Sequence, residues 1–291
     1  YECPLDLRRD KIDRLVVDRI GLGDTPPPAL EDWERFVQRV IHPVHKVTIA
    51  VAGKYIELQD AYKSIYESLI HAGAHHDTKV HIVRVEAEAI EDHGAKAVIG
   101  DVDGILVPGG FGDRGIEGKI LAAKYARENN IPYFGICLGM QIATIEFARN
   151  VCGLKNANST EFEKQTEHPV ICLQEEQKGV EDMGATMRLG SSESIVFAGT
   201  KAAELYDNAD RIHERHRHRY EFNSDYQEQL TEAGLVISSV SADEGLVEIV
   251  ELPNHPFYLG AQFHPEFQSK PNHPHPLFAG FVAAALAKAN S

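Results

Sequence analysis

The sequence has few of the features that hold small secreted proteins together. Only four of its 291 residues are cysteines, and these are widely spaced with no CxxC pair among them. A chain of this length can bury a full hydrophobic core without disulfide bonds. We therefore predict no disulfide framework, and the cysteine content fits a reducing cytosol.

Long apolar runs and surplus positive charge are also absent. No run approaches the roughly 20 apolar residues that cross a bilayer, and the first residues lack the pattern of a signal peptide. Lysine and arginine total 29 against 44 aspartates and glutamates, which gives a net charge of −15. Such a chain offers no basic surface to neutralise a polyphosphate backbone. We expect a soluble, cytoplasmic protein with no nucleic-acid or membrane partner.

Residues 1–44 differ in pattern from the rest of the chain. A charged helical stretch (LRRDKIDRLVVDRIGL) is followed by three prolines and then by LEDWERFVQRVIHP, whose apolar residues recur at helical spacing. This apolar stripe needs a covering surface. It comprises Trp33, Phe36, Val37, Val40 and Ile41. Two interpretations remain open, a linker whose exposed stripe faces a missing neighbour and a helix packed on its own domain.

The chain starts with tyrosine rather than methionine, so we expect a fragment of a longer protein. We predict a linker with helices over residues 1–44 and one domain over residues 45–291. From residue 46, short β-rich runs such as VTIAVAG and KVHIVRV alternate with amphipathic helical runs, and residues 170–200 predict several short strands. The alternation predicts an α/β fold with a central, mostly parallel sheet flanked by helices.

The segment Gly135-Ile136-Cys137-Leu138-Gly139 joins a predicted strand directly to a predicted helix. Glycines on both sides of a nucleophile allow a tight turn that projects the central side chain above the sheet. At a helix N-terminus, the helix dipole and unpaired N–H groups favour the thiolate form of a cysteine. The pentapeptide predicts a reactive Cys137, although a buried structural cysteine fits it equally well.

A thiol nucleophile needs a base and a group that orients the base. His264 and Glu266 lie two residues apart at the end of a predicted strand, so their side chains point the same way. The carboxylate can then hold the imidazole while its other nitrogen faces the thiol. Taken alone, the His-Pro-Glu segment also fits a surface turn.

Glycines follow another predicted strand in Pro108-Gly109-Gly110-Phe111-Gly112. Such a loop can turn a backbone N–H toward a substrate carbonyl and form an oxyanion hole together with the N–H of Leu138. A phosphate-binding loop or a plain turn would show the same glycines.

In combination, PGGFG, GICLG and QFHPE resemble the class I (triad-type) glutamine amidotransferases. The segments GKYIELQDAYKSI, NANSTEF, GATMRLG and ERHRHRYEFN are similar to the amidotransferase domains of the CTP synthase family. The resemblance implies a class I glutamine amidotransferase-like fold and a glutaminase that supplies ammonia for making CTP. A related hydrolase of γ-glutamyl amides and a non-catalytic glutamine-sensing module are the alternatives.

The resemblance also implies roles for single residues. Cys137 would be the nucleophile, His264 the general base and acid, and Glu266 the residue that orients the histidine. The oxyanion hole would use Gly109 and Leu138. The implied glutamine-binding residues are Gly110, Phe111, Leu138, Gln141, Glu161 and Arg219. A carboxylate and a guanidinium suit the α-ammonium and α-carboxylate of glutamine, although without the resemblance Glu161 and Arg219 would be read as a solvated surface pair.

Cofactors and partners follow from the same resemblance. ATP and Mg²⁺ would belong to a synthase domain outside this sequence, since no GxxxxGK[ST] run occurs in it, and this domain itself would need no cofactor. The implied partners are glutamine, the synthase domain and the other subunits of a homo-oligomer, a tetramer in the family. Lys63 resembles a residue linked to activation by GTP. We predict no metal site in the histidine-rich stretch from His213 to His218, because arginines alternate with these histidines.

Overall fold

A computed structural model describes residues 1–54, 58, 60–173 and 187–291 of the chain. Part of the region for which several short strands were predicted, residues 174–186, lies outside the described residues. So does the start of the segment GATMRLG.

The helices and strands follow in chain order. The helices are α1 (Cys3–Arg9), α2 (Ile12–Ile20), α3 (Glu31–Ile41), α4 (Lys63–His75), α5 (Ala87–His93), α6 (Ala95–Ile99), α7 (Ile116–Glu128), α8 (Leu138–Asn150), α9 (Lys201–Leu205), α10 (Gln227–Glu232) and α11 (Pro276–Ala289). The strands are β1 (His45–Gly53), β2 (Thr78–Glu86), β3 (Gly104–Val107), β4 (Tyr133–Ile136), β5 (Ala157–Ser159), β6 (His168–Leu173), β7 (Arg188–Val196), β8 (Arg211–His218), β9 (Tyr220–Phe222), β10 (Val236–Ser241), β11 (Val247–Glu251) and β12 (Tyr258–Ala261).

The first helical stretch is interrupted. Lys11 takes the left-handed conformation with φ 57°, which ends α1 and separates it from α2. Neither helix contains a buried residue. Their large exposed apolar side chains include Leu7, Ile12, Leu15, Val16 and Ile20.

The apolar stripe of α3 is not left uncovered. Phe36 and Val37 are only 5% and 1% exposed, and they pack with Ala74 at the end of α4. Trp33 and Val40 are half-buried beside them, whereas Ile41 stays exposed. Of the two interpretations, the exposed stripe is wrong and the helix packed on its own domain is supported, because α4 lies against α3 and covers its apolar face.

Nine strands form the main sheet in the order β2-β1-β3-β4-β12-β11-β10-β7-β8. The first five strands in this order, which are β2, β1, β3, β4 and β12, pair in parallel. From β12 onward, each strand pairs antiparallel with the next. The predicted α/β fold with a mostly parallel central sheet is confirmed. The antiparallel extension was not predicted, because apolar runs in a sequence do not reveal strand direction. A second sheet has the order β5-β6-β9.

Hydrophobic clusters cover both faces of the sheet. On one face, α5, α7 and α8 contribute to a cluster that includes Ile105, Val107 and Met140. On the other face, α4 and α11 pack around Phe134 and Phe281. Burial on both faces explains why the parallel strands are continuously apolar in sequence. Across the part of the chain that is described, none of the helices has both the length and the apolar character needed to cross a membrane.

Candidate active site

Cys137 occupies the turn between β4 and α8, as predicted. Its backbone has φ 52° and ψ −102°, a conformation that residues with a side chain rarely adopt. The turn is anchored by the Cys137 N–H, which donates to the carbonyl of Ala261 at 2.7 Å. The side chain is 4% exposed. The sheet thus holds a strained turn that presents the thiol at the carboxyl end of β4.

Two glycines allow this turn to approach its neighbours. A β-carbon on Gly135 would lie 2.4 Å from the carbonyl oxygen of Gly139, and one on Gly139 would lie 2.1 Å from that of Val107. Both distances are far shorter than any real contact, and the colliding atoms belong to the backbone. The glycines of the predicted elbow are therefore required by close backbone packing.

The imidazole of His264 lies beside the thiol, and Glu266 holds it. His264 Nδ1 is 2.8 Å from Glu266 Oε1, and the backbone N–H of His264 donates to the carbonyl of Arg215 at 2.7 Å. A β-carbon on Gly109 would lie 2.9 Å from His264 Cε1 and 3.5 Å from Cys137 Cβ. The nucleophile candidate, the imidazole and the glycine loop therefore converge on one point.

The charges at this point favour a protonated imidazole. Burial alone would lower the pKa of His264, but the charge on the Cys137 sulfur and the bond to Glu266 outweigh it and raise the pKa to about 11. Within the described residues, His264 Nε2 is buried and has no hydrogen-bond partner. An imidazole held by a carboxylate beside a buried sulfur is the arrangement that activates a cysteine nucleophile.

A narrow cleft opens in front of the sulfur. Its walls include all six residues that the sequence predicted to bind glutamine, which are Gly110, Phe111, Leu138, Gln141, Glu161 and Arg219. Met187, His218 and Tyr220 complete the lining and were not predicted. His218 and Tyr220 flank the predicted Arg219, but nothing in the sequence shows which neighbours of a pocket residue also face the pocket.

Glu161 lies at the edge of this cleft. Its Oε1 accepts a hydrogen bond from the Gly112 N–H at 3.1 Å. Burial raises the pKa of Glu161, although this N–H and the charge on Arg219 oppose the rise. Lys119 is buried and also acts on Glu161 electrostatically. Sequence reasoning missed Lys119, because a lysine on an amphipathic helix gives no sign of its burial.

Backbone donors are available where the carbonyl of a bound amide would lie. Among the hydrogen bonds of the described residues, none uses the N–H of Gly109 or of Leu138. Leu138 is the first residue of α8, so its N–H has no partner within the helix. The arrangement can therefore stabilise an oxyanion next to the sulfur.

Comparison with known proteins agrees with this geometry. The family profile "Glutamine amidotransferase class-I" matches residues 57–284. The chain belongs to the class I glutamine amidotransferase family. A solved structure of the Trypanosoma brucei CTPS glutaminase domain with bound acivicin is 43% identical to this amidotransferase. It superposes with a TM-score of 0.77 over 82% of this chain and 93% of that chain.

Full-length relatives extend the similarity over the N-terminal residues of this amidotransferase. The CTP synthase of Caldanaerobacter subterraneus subsp. tengcongensis is 55% identical over 98% of this chain and 53% of its own length. The CTP synthase of Methanocaldococcus jannaschii is 52% identical over 98% of this chain and 54% of its own length. The chain thus spans about half the length of the curated relatives it matches.

A second cleft of this amidotransferase includes His264 in its lining. Its lining includes Phe111, Arg217, Phe267 and residues from the start of α4. The guanidinium of Arg217 lies 5.7 Å from the centre of the Phe111 ring. Lys63 is exposed at the first position of α4, next to residues that line this second cleft, and is not among the residues that line the cleft in front of Cys137.

The histidine-rich strand β8 alternates between buried and exposed residues. His216 and His218 point inward, where His216 Nε2 lies 2.7 Å from Glu248 Oε2. The arginines of the strand point outward. The arginines therefore do not share a face with these buried histidines, contrary to the reason given for discounting a metal. A group of three or more metal-ligating side chains is not found in the described residues.

Proposed function

We propose that this chain is a glutaminase that hydrolyses L-glutamine to glutamate and ammonia through a thioester on Cys137. The observation that carries the proposal is the meeting of the Cys137 thiol, the His264–Glu266 pair and the glycine loop at the end of a cleft that bears both Glu161 and Arg219. A cysteine, a base and oppositely charged side chains in one cleft are what hydrolysis of an amino-acid amide requires.

The reaction begins with attack of the Cys137 thiolate on the carbonyl carbon of the side-chain amide. The N–H groups of Gly109 and Leu138 stabilise the resulting oxyanion. His264 gives its proton to the nitrogen, the C–N bond breaks and ammonia leaves. The neutral His264 then takes a proton from water, and the hydroxide attacks the thioester. The C–S bond then breaks, which releases glutamate and restores the Cys137 thiolate beside the protonated His264.

Substrate recognition is proposed to rest on charge. The Glu161 carboxylate would pair with the α-ammonium group of glutamine, and the Arg219 guanidinium with its α-carboxylate. Gly110, Phe111 and Gln141 would complete the pocket wall around the side chain.

Removing either charge should weaken glutamine binding more than it slows the chemistry. We expect Glu161→Ala and Arg219→Ala each to raise KM about 10- to 100-fold with a smaller change in kcat, because both groups lie away from the scissile amide. Steady-state glutamate release measures both constants, and Arg219→Lys, which keeps the charge and loses the planar fork, serves as the matched control. An unchanged KM in both alanine variants would place the substrate elsewhere.

The same assay tests the proposed function itself. The chain should release glutamate from glutamine faster than it cleaves γ-glutamyl dipeptides. A preference for the dipeptides would favour a related γ-glutamyl hydrolase. No turnover, with no thioester trapped by a glutamine-analogue electrophile, would favour a non-catalytic sensing module.

The ammonia is proposed to serve a synthase half that this sequence does not contain. The CTP synthases that match the chain are about twice as long, which supports such a half. In the whole protein, ATP and Mg²⁺ would activate UTP, and ammonia would convert it to CTP. We further propose a cytoplasmic homotetramer with residues 1–44 as the linker between the halves, in line with the family.

GTP is proposed as the activator of glutamine hydrolysis. Support comes from Lys63, which resembles a residue linked to that activation and lies beside the second cleft. In the family, activation by GTP also depends on occupancy of the UTP site. Such coupling needs two sites, and this chain lacks the UTP site of the synthase half, so it should respond weakly.

The chain alone should therefore release glutamate with little stimulation by GTP. It should form no CTP from UTP, ATP, Mg²⁺ and ammonium salt, because it has the triad without the phosphate-binding half. Both products can be followed by chromatography in parallel reactions. Robust CTP formation would contradict the proposal that synthesis needs the missing half. Strong stimulation of glutamate release by GTP would show that the effector site lies wholly within these residues.

A further inference from the structure

A chain of three side-chain hydrogen bonds ends on the sulfur of Cys137. Gln141 Nε2 donates to the backbone carbonyl of Tyr220 at 3.0 Å and to Gln262 Oε1 at 3.2 Å. Gln262 Nε2 in turn donates to Cys137 Sγ at 3.7 Å. This series of hydrogen bonds thus links the start of β9, next to Arg219, with the nucleophile.

Donor and acceptor chemistry fixes the direction of every hydrogen bond in this series. The Tyr220 carbonyl can only accept, so the amide group of Gln141 must turn its nitrogen toward it. That same nitrogen also faces Gln262, which must therefore present its oxygen. The nitrogen of Gln262 is then left to face the sulfur, so the orientation of both amides follows from a single backbone acceptor.

Burial makes the last bond of this chain significant. Gln262 is 0% exposed and Gln141 is 3% exposed, so water does not compete for these groups. The backbone holds Gln262 in place, because its N–H donates to the Glu248 carbonyl at 2.8 Å. An amide donor held against a buried sulfur stabilises the thiolate relative to the thiol, since a thiolate is the stronger acceptor.

We propose that Gln262 is a positioning residue that holds the Cys137 sulfur and stabilises its thiolate, and that Gln141 fixes the orientation of the Gln262 amide. His264 acts on the sulfur through charge, whereas Gln262 supplies a neutral donor. The carbonyl of Tyr220, the first residue of β9, accepts the first hydrogen bond of this series. The strand that follows the substrate-binding Arg219 therefore also helps to place the nucleophile. The inference rests on the proposed glutaminase activity only for its effect on turnover.

The test measures the thiolate directly. Trypsin places Cys137 alone among the four cysteines in the peptide that follows Arg127 and ends at Arg149. Mass spectrometry of that peptide therefore gives the rate at which iodoacetamide alkylates Cys137 at each pH in the intact chain. In Gln262→Met, which keeps the length but lacks the donor, we expect alkylation at pH 7 to slow about 10-fold and the midpoint of its pH profile to move upward.

Further variants separate positioning from packing. Gln262→Glu, which is isosteric but carries a negative charge, should slow alkylation more than Gln262→Met does. Gln229→Met is the matched control, because Gln229 is an exposed residue of α10. Its profile should coincide with that of the unaltered chain. If Gln262→Met loses its cooperative unfolding transition, Gln141→Met decides, with an expected shift in the same direction.

The outcomes distinguish this inference from the proposed function. An unchanged alkylation profile in folded Gln262→Met would overturn the inference even if the chain hydrolyses glutamine. A shifted profile in a chain that releases no glutamate would support the inference and leave the glutaminase proposal refuted.

Discussion

The variant Cys137→Ala is expected to lose glutamine hydrolysis by a factor of at least about 10⁴ while it keeps the fold. The substitution removes the thiol proposed to attack the amide, and what remains of the site can bind substrate without forming the thioester. It removes a single sulfur atom, and alanine keeps the same backbone requirement at φ 52°. Stability should therefore change little.

Glutamate release under saturating glutamine measures this effect, and urea unfolding confirms the fold. Cys152→Ala is the matched control, because Cys152 is a half-buried cysteine that packs at the edge of the core away from the cleft. It should retain full activity. Turnover by Cys137→Ala near that of the unaltered chain would refute the thioester mechanism.

The largest effect on stability is expected from Gly139→Ala, which should lower the free energy of unfolding by about 3 kcal/mol or more. The new methyl group would lie 2.1 Å from the carbonyl oxygen of Val107, and α8 and β3 would have to separate to admit it. Alanine gains about 1 kcal/mol in helix propensity over glycine, which is too little to offset this collision.

Urea denaturation of both chains measures the difference. Gly280→Ala in α11 is the matched control, since it gains the same propensity and its methyl meets only the end of the Leu205 side chain, which can move. Its stability should stay within about 1 kcal/mol of the unaltered chain. An equal loss in both variants would show that the backbone contact at Gly139 is not the cause.

The parallel part of the fold could be predicted from the sequence, because strands buried on both faces appear as continuous apolar runs. Runs such as VTIAVAG and KVHIVRV became β1 and β2. The antiparallel part of the sheet could not be predicted, because the relative direction of two paired strands depends on which strands are neighbours and not on their amino-acid composition. The covering of Phe36 and Val37 by α4 was also hidden, since an amphipathic stripe shows that a partner exists without showing which one.

The site shows the same division. Cys137, His264 and Glu266 were placed together by the resemblance to a family, because each motif taken alone also fitted a structural role. Gln262 appeared only as one residue of the QFHPE motif. The hydrogen bond from its side-chain amide to the sulfur depends on the distance between β12 and the turn after β4. Contacts of that kind arise from packing and leave no periodic signal.

The strand β8 closes one edge of the main sheet, and the loop that carries the imidazole covers part of that edge. The carbonyl of Arg215 accepts from the His264 N–H at 2.7 Å, and that of His213 accepts from the Gln268 amide at 2.9 Å. These acceptors would otherwise form a template on which a strand of another chain could pair. The loop that carries the imidazole therefore also covers acceptors on which a strand of another chain could pair, and the outward residues Arg215 and Arg217 of β8 place positive charge along the same border.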